Sequence, residues 1–335
     1  MSVAGRMMAD AVGKVLVTGG AGFIGSHLVD ALMERGFHVK VVDNLSNGRT
    51  SNLQSWLDNP CFELIHGDLK DPDIAHRSVE SIKVVFHLAA NPDVKLGESN
   101  PSVHFNENLL VTFNLLEAMR KSETAKYIVF ASTSTVYGEP DEFPTPEDYG
   151  PLLPISIYGA SKLGCEALVA SYCHTFDLRG ALLRFANIVG SRSNHGVIID
   201  FIRKLRQRPS ELEILGDGTQ KKSYLHVKDL ASAFLIVLNI LGKSEFVEAY
   251  NVGSLDQADV IRIAEVVCEE MGIGKPRFKF SKTVKDGRGW KGDVKVMQLS
   301  VQKLMNLGWK PSLGSEAALR LSCRELLNSI EKGSD

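Results

Sequence analysis

Nowhere in these 335 residues does an apolar run approach the roughly 20 residues that a bilayer-spanning helix requires. Met1 to Gly13 likewise lacks the unbroken apolar stretch of a secretory signal. We therefore expect a cytoplasmic protein without a membrane partner. Cysteine is sparse. The five residues Cys61, Cys165, Cys173, Cys268 and Cys323 form no Cys-x-x-Cys pair and have no histidines at metal-ligand spacing, so we expect reduced thiols and no metal site. An excess of positive charge is missing too: the formal net charge of -2 supplies no attraction for nucleic acid, which is not expected as a partner. Repeats and low-complexity tracts are absent, which excludes solenoids and long disordered arms. What remains, 44% hydrophobic and 23% charged, is enough for one large core and a smaller lobe.

Past a leader at residues 1–13, expected to be poorly ordered, short β-rich runs alternate with longer helical patterns. Strands are expected at Val15 to Thr18, Val39 to Asp43, Phe62 to His66, Val84 to Leu88, Tyr127 to Ala131 and Ala181 to Phe185. Apolar positions recur at helical spacing in Ile24 to Arg35, Val111 to Arg120, Ser161 to Phe176 and Val260 to Met271. Near-continuous apolar strands such as Val84-Val85-Phe86 demand burial on both faces. The expected fold is therefore α/β: a Rossmann-type doubly wound parallel sheet with a smaller C-terminal α/β substrate lobe. Residues 14–186 with about 224–252 are assigned to the sheet domain, and about 187–223 with 253–335 to the lobe.

Val15-Leu16-Val17-Thr18 runs into Gly19-Gly20-Ala21-Gly22-Phe23-Ile24-Gly25 and on into an amphipathic helix. Gly19 and Gly22 can turn where other residues cannot and leave room for a pyrophosphate, while Gly25 lets the helix close on the strand. The amino end of that helix, at Phe23 and Ile24, points unpaired N–H groups at the phosphates. Such glycines also occur in ordinary turns; the strand, turn, helix order is what makes a dinucleotide site of them. Asp43, with Asn44 beside it, ends the second strand, where a carboxylate accepts both ribose hydroxyls and repels a 2′-phosphate, so NAD is expected over NADP. Asp43 would serve equally as a turn cap. Asp68 can bond the adenine amino group with Leu69 over the ring, although the pair also reads as a turn. Leu88, Ala89 and Ala90 close the fourth strand with small groups where a cofactor approaches, and His87 before them is read as packed rather than catalytic.

Tyr158 and Lys162 stand four apart, on one face of a helix. A free phenol has a pKa of about 10, so a tyrosine acting as a base near neutrality needs roughly 4 kcal/mol of selective phenolate stabilisation. An ammonium from Lys162 and a positive nicotinamide can supply it together. Alone, this spacing is common on solvated helices; it gains meaning behind a glycine fingerprint and a hydroxyl-rich strand end, Phe130-Ala131-Ser132-Thr133-Ser134-Thr135-Val136-Tyr137-Gly138.

With these segments, Lys14 to roughly Pro311 resembles the extended short-chain dehydrogenase/reductases, and among them most the UDP-glucose 4-epimerases. The resemblance designates Thr133, four residues before the tyrosine of Val-Tyr-Gly, as the third catalytic group, with Ser132 and Ser134 in support and Ser134 at the substrate. It implies that Asn108 lies under the nicotinamide side of the cofactor pocket, and that Asn187 in Arg184-Phe185-Ala186-Asn187 bonds the diphosphate of a nucleotide sugar. Lys222-Ser223-Tyr224 stands where an Arg-Asp-aromatic segment is usual, which makes Lys222 and Tyr224 substrate candidates, with a lysine less suited than arginine to a two-pronged contact. Arg288, or in its place Lys291, is the second basic contact. Relatives that dehydrate carry Asp-Glu before Val-Tyr-Gly and decarboxylases carry Glu; Ser134-Thr135 offers neither acid, and dehydration needs an acid/base pair. The activity implied is reversible 4-epimerisation of a UDP-hexose with bound NAD. A UDP-uronate 4-epimerase, a decarboxylase or dehydratase, and a non-catalytic NAD sensor stand behind it. A homodimer through the Val103 to Arg120 and Ser161 to Phe176 regions is also implied.

Overall fold

The structure, a computed structural model, describes residues 13–243, 246–281, 284 and 286–331. Of the leader expected over residues 1–13, only Gly13 falls within these. Contacts divide the chain into two compact units. Among the described residues, the first holds those up to Thr133, Ile157–Arg184 and those of Ala231–Tyr250; the second holds Ser134–Ser156, Phe185–Leu230 and those from Asn251 onward.

The central sheet has seven strands: β1 (Lys14–Thr18), β2 (His38–Asp43), β3 (Phe62–His66), β4 (Val84–His87), β5 (Tyr127–Thr133), β6 (Arg179–Phe185) and β11 (Val247–Val252). They lie in the order β11-β6-β5-β4-β1-β2-β3, with β1 as the hinge of the reversal. Parallel registers such as Val15↔Val39 and Val15↔Val84 put the carboxyl ends of β1, β2 and β4 on one edge. Open α/β sheets bind ligands at that edge, where the strand order reverses. Val15, Leu16, Val17, Val85 and Phe86 are buried because helices cover both faces. The seventh strand, β11, was not among the expected strands; only four of its residues are hydrophobic and it gains a partner solely by lying beside β6. The core of this unit joins Leu16, Val85, Leu115, Ile128, Phe130 and Cys165.

The second unit collects short strands. β7 (Asn187–Val189) pairs in parallel with β10 (Tyr224–His226), and β8 (Glu211–Leu215) with β13 (Arg277–Ser281). Helices Val197–Gln207, Val260–Glu270 and Ser315–Glu331 contribute Phe201, Ile202, Val266, Val267 and Leu319 to its core. The expected division kept residues 134–156 with the sheet. Their contacts lie instead in the second unit: Tyr137 donates to Asn251 Oδ1 at 2.8 Å, Asn251 Nδ2 donates to the Thr145 carbonyl, and Thr145 exchanges backbone bonds with Gln298 and Ser300. No helix among the described residues is long and apolar enough to cross a membrane. All five cysteines are free thiols, four of them buried.

Candidate active site

The glycine turn is the tightest place in the first unit. Gly19 has φ +67°, and a methyl group there would lie 2.9 Å from the Ala89 nitrogen. A methyl on Gly25 would lie 2.1 Å from the Gly19 carbonyl oxygen, so the Phe23–Met33 helix touches the turn itself. Gly22 caps that helix with no side-chain bond, which leaves its first N–H groups for an anion. Phe23 and Ile24 form its first turn.

Asp43 is buried at the end of β2, where Oδ2 accepts from Ala21 N–H at 2.9 Å and Oδ1 from Leu45 N–H at 2.8 Å. Both readings of Asp43 thus coexist: it caps the turn, and each oxygen keeps a lone pair for a further donor. Asn44 donates to Asp68 Oδ2 at 3.1 Å, linking the ends of β2 and β3. The pKa of the Asp68 carboxyl moves down, burial pushing it up less than its bonds to Lys70 and Asn44 together pull it down. Leu69 is buried in the sheet core. Leu88 and Ala89 present their backbone to the glycine turn, with Ala90 following. The narrow glycine floor, uncapped helix end and strand-end carboxylate together fit a dinucleotide.

Thr133 closes β5, and Tyr158 and Lys162 lie on the Ile157–Thr175 helix. The structure brings the first two together, the Thr133 hydroxyl bonding the phenol. Burial raises the Tyr158 pKa to about 12, with the Thr133 bond acting against it. The expected lowering by Lys162 is not present in this state. Lys162 is 3% exposed, its ammonium lies 4.1 Å from the centroid of the Phe130 ring, and burial draws its pKa down to about 8. The phenol is therefore a resting acid in the free protein, and phenolate needs a further positive charge.

Asn108 sits in a π-helical turn, Phe105–Leu110. Its Oδ1 accepts from Asn91 N–H at 2.8 Å and its Nδ2 donates to Ser161 Oγ at 2.9 Å, while Ser161 donates to the Tyr158 carbonyl. These bonds brace the tyrosine's helix. Ser132, expected in support, donates instead to Glu166, and Glu166 is gripped by Arg184 at 2.7 Å. Glu166 falls four residues after Lys162, a same-face spacing that was visible in the sequence. His104 was not: its ring meets the Tyr158 ring edgewise at 5.6 Å between centroids across a separation no periodicity encodes.

In the second unit, Asn187 donates to the Ser223 carbonyl at 3.2 Å. Lys222 is bonded to Asp293 at 2.6 Å, 5.6 Å from the Trp290 ring. Arg288 is held by Asp286, Glu139 and the Asp293 carbonyl. Tyr224 is 8% exposed in the unit's core, in a strand whose three residues are all buried, and burial raises its pKa. Ser134, also buried, opens the short turn Ser134–Tyr137.

Comparison with known proteins agrees with this architecture. Residues 15–253 match the NAD dependent epimerase/dehydratase family. The chain is 31% identical to a UDP-glucose 4-epimerase of Streptococcus mutans over 96% of its length and 98% of the relative's. Among solved structures, a UDP-galactose 4-epimerase is 44% identical with a TM-score of 0.83, covering 95% of this chain and 99% of that one. A UDP-glucuronic acid 4-epimerase from Bacillus cereus, solved with UDP-glucuronic acid and NAD, is 29% identical with a TM-score of 0.84, covering 94% and 99%. A matching family model over most of the chain, and the glycine turn and strand-end aspartate in their places, establish that this chain belongs to the NAD-dependent epimerase/dehydratase family of extended short-chain dehydrogenase/reductases, with NAD as its cofactor.

Proposed function

We propose that this protein epimerises carbon 4 of a UDP-hexose, interconverting UDP-glucose and UDP-galactose. The observation that carries the reading is the Thr133 to Tyr158 bond beside a buried Lys162, at a strand end whose next two residues are Ser134 and Thr135 rather than acids. NAD, held by the glycine turn and Asp43, would supply when bound a reversible hydride acceptor for carbon 4 and a positive charge that favours phenolate. Tyr158 takes the proton of the 4-hydroxyl. Thr133 shares that hydrogen bond and fixes the hydroxyl in line, and the Lys162 charge favours phenolate over phenol. The resulting 4-ketone turns about the diphosphate linkage so that carbon 4 takes its hydride back on the opposite face, and Tyr158 returns the proton to the 4-oxygen. Asn187, Lys222 and Arg288 are assigned to the diphosphate; Lys222 and Arg288 exchange their present carboxylate partners for phosphate oxygens of the same charge.

Assaying UDP-glucose, UDP-galactose and UDP-glucuronate side by side without added cofactor, with products resolved by NMR, tests the reading. We expect a galactose and glucose mixture from either hexose. Turnover confined to the uronate would reassign the substrate, and carbon dioxide or a 6-deoxy-4-keto product would overturn the reaction class. Tyr158→Phe should cut turnover by several orders of magnitude in a folded protein; an unchanged rate removes the tyrosine from the chemistry.

The dimer belongs to the same proposal. Phe105, 60% exposed, and Phe113 and Phe176, both exposed, lie on the two helical stretches expected to face a second copy. Sedimentation should give twice the chain mass, and Phe105→Glu should halve it.

A further inference from the structure

Thr18 ends β1 fully buried, and its Oγ1 receives two backbone N–H groups, from Leu88 at 3.1 Å and Ala89 at 3.0 Å. Those bonds use both lone pairs of the hydroxyl, so its own proton goes to its third neighbour, His87 Nδ1, at 2.8 Å. A neutral imidazole carries one N–H, which is therefore on Nε2 and donates to Thr112 Oγ1 at 3.0 Å. Thr112 then donates to Cys165 Sγ at 3.3 Å. The directions close without a conflict. His87 is 1% exposed, its ring 5.6 Å from the same Phe130 ring that carries Lys162. Three titratable groups act on this network: Lys162, the Cys165 thiol and, through Cys165, Glu166. Burial, and after it the Lys162 charge, lowers the His87 pKa to about 3, and burial raises that of Cys165. A protonated His87 would lose its bond from Thr18 and set a second cation beside Lys162.

We propose that His87 is a positioning residue for NAD: a permanently neutral imidazole that, through Thr18, holds the Leu88–Ala89 backbone against the glycine turn. Through Thr112 and Cys165 it ties that floor to the helix bearing Tyr158 and Lys162. The floor has no slack, since even a methyl group on Gly19 would lie 2.9 Å from the Ala89 nitrogen and 3.1 Å from the Leu88 carbonyl carbon. This inference needs NAD binding but not the identity of the sugar, so a failed substrate assignment leaves it standing.

The test is calorimetric NAD affinity of nucleotide-stripped full-length protein, compared among wild type, His87→Phe, His87→Gln and Thr112→Val. His87→Phe keeps a ring and loses both nitrogens; we expect affinity to fall about tenfold, the size of one or two buried hydrogen bonds. His87→Gln, which can accept from Thr18 and donate to Thr112, should recover most of it. A merely structural role would lower the melting temperature of both without separating their affinities. In wild-type protein, nitrogen NMR of the assigned imidazole should show the Nε2–H form across about pH 5 to 8, the range in which an ordinary histidine titrates. Unchanged NAD affinity in folded His87→Phe, a proton on Nδ1, or titration within that range would each overturn the proposal. Should His87→Phe not fold, the wild-type spectrum and Thr112→Val decide it.

Discussion

Glu166→Ala removes the anion from a pair that is 3% and 6% exposed, leaving the Arg184 guanidinium in the core without the carboxylate that meets it at 2.7, 3.0 and 3.2 Å. Breaking one side of a buried pair costs about 3–5 kcal/mol, and the Ser132 hydroxyl, which also loses its acceptor, adds about 1 kcal/mol. Glu166→Ala should therefore lower the unfolding free energy by about 5 kcal/mol. The double variant Glu166→Met/Arg184→Met removes both charges and should lie within about 2 kcal/mol of wild type, because two buried charges lose their hydration as well as gain each other. Urea unfolding followed by circular dichroism measures both. If single and double variants lose the same stability, or the single loses less than about 1 kcal/mol, loss of the carboxylate beside Arg184 is not what matters and the reasoning fails. A second readout follows from position. Lys162 lies one turn before Glu166, which supports its charge against burial. Glu166→Gln keeps the shape and removes that support, so the alkaline loss of Lys162 protonation should begin lower than in wild type.

Lys162 itself predicts a slope in stability. The folded protein releases this proton at about 8 and the unfolded chain at 10.5, so its burial penalty is complete below pH 8 and is relieved as pH rises toward 10.5; Lys162→Met should abolish that rise in urea titrations. In nucleotide-free protein the Tyr158 phenol should ionise near 12, and Thr133→Val, which deletes a bond that lowers this value, should move it higher and cut turnover at least about tenfold. Ultraviolet difference spectra against Tyr158→Phe isolate that tyrosine. Gly25→Ala puts a methyl 2.1 Å from a backbone oxygen; helix and turn must separate, at a cost of about 1–3 kcal/mol and with loss of NAD retention, measured by nucleotide released on denaturation. Asp43→Asn keeps an oxygen for Leu45 N–H but drops the charge, so NADP binding relative to NAD should rise by about tenfold.

Several parts of the fold were legible before any coordinates. Buried strands β1, β2, β4, β5 and β6 announce themselves because burial on both faces forces long apolar runs, whereas the edge strand β3 has no buried residue and is marked only by alternation with its flanking turns; the ends of all six differ from expectation by at most a few residues. The glycine turn is legible because only glycine tolerates φ +67° at Gly19 and backbone contact at Gly25. Tyr158 and Lys162 are legible because a helix fixes residues four apart on one face. Glu166 obeys the same rule and was passed over, since a carboxylate on a helix is ordinarily a solvated one. The packing of Leu69, Asn108 and Tyr224 was not legible, for another reason. Family position carried them to the site, but which way each side chain turns depends on what packs around it: a core for Leu69 and Tyr224, the Asn91 backbone and Ser161 for Asn108.

Local chemistry, written in short spacings, was thus determined by the sequence alone: a dinucleotide turn, a tyrosine and lysine on one helix face, a strand end without acids. Tertiary structure decided the environment of those groups. It set the phenol's resting protonation, placed Lys162 over an aromatic ring and joined Thr18, His87, Thr112 and Cys165 into one directed chain. The division has a physical cause, because backbone geometry propagates over a few residues whereas desolvation and hydrogen-bond direction depend on atoms that meet only once the sheet has closed.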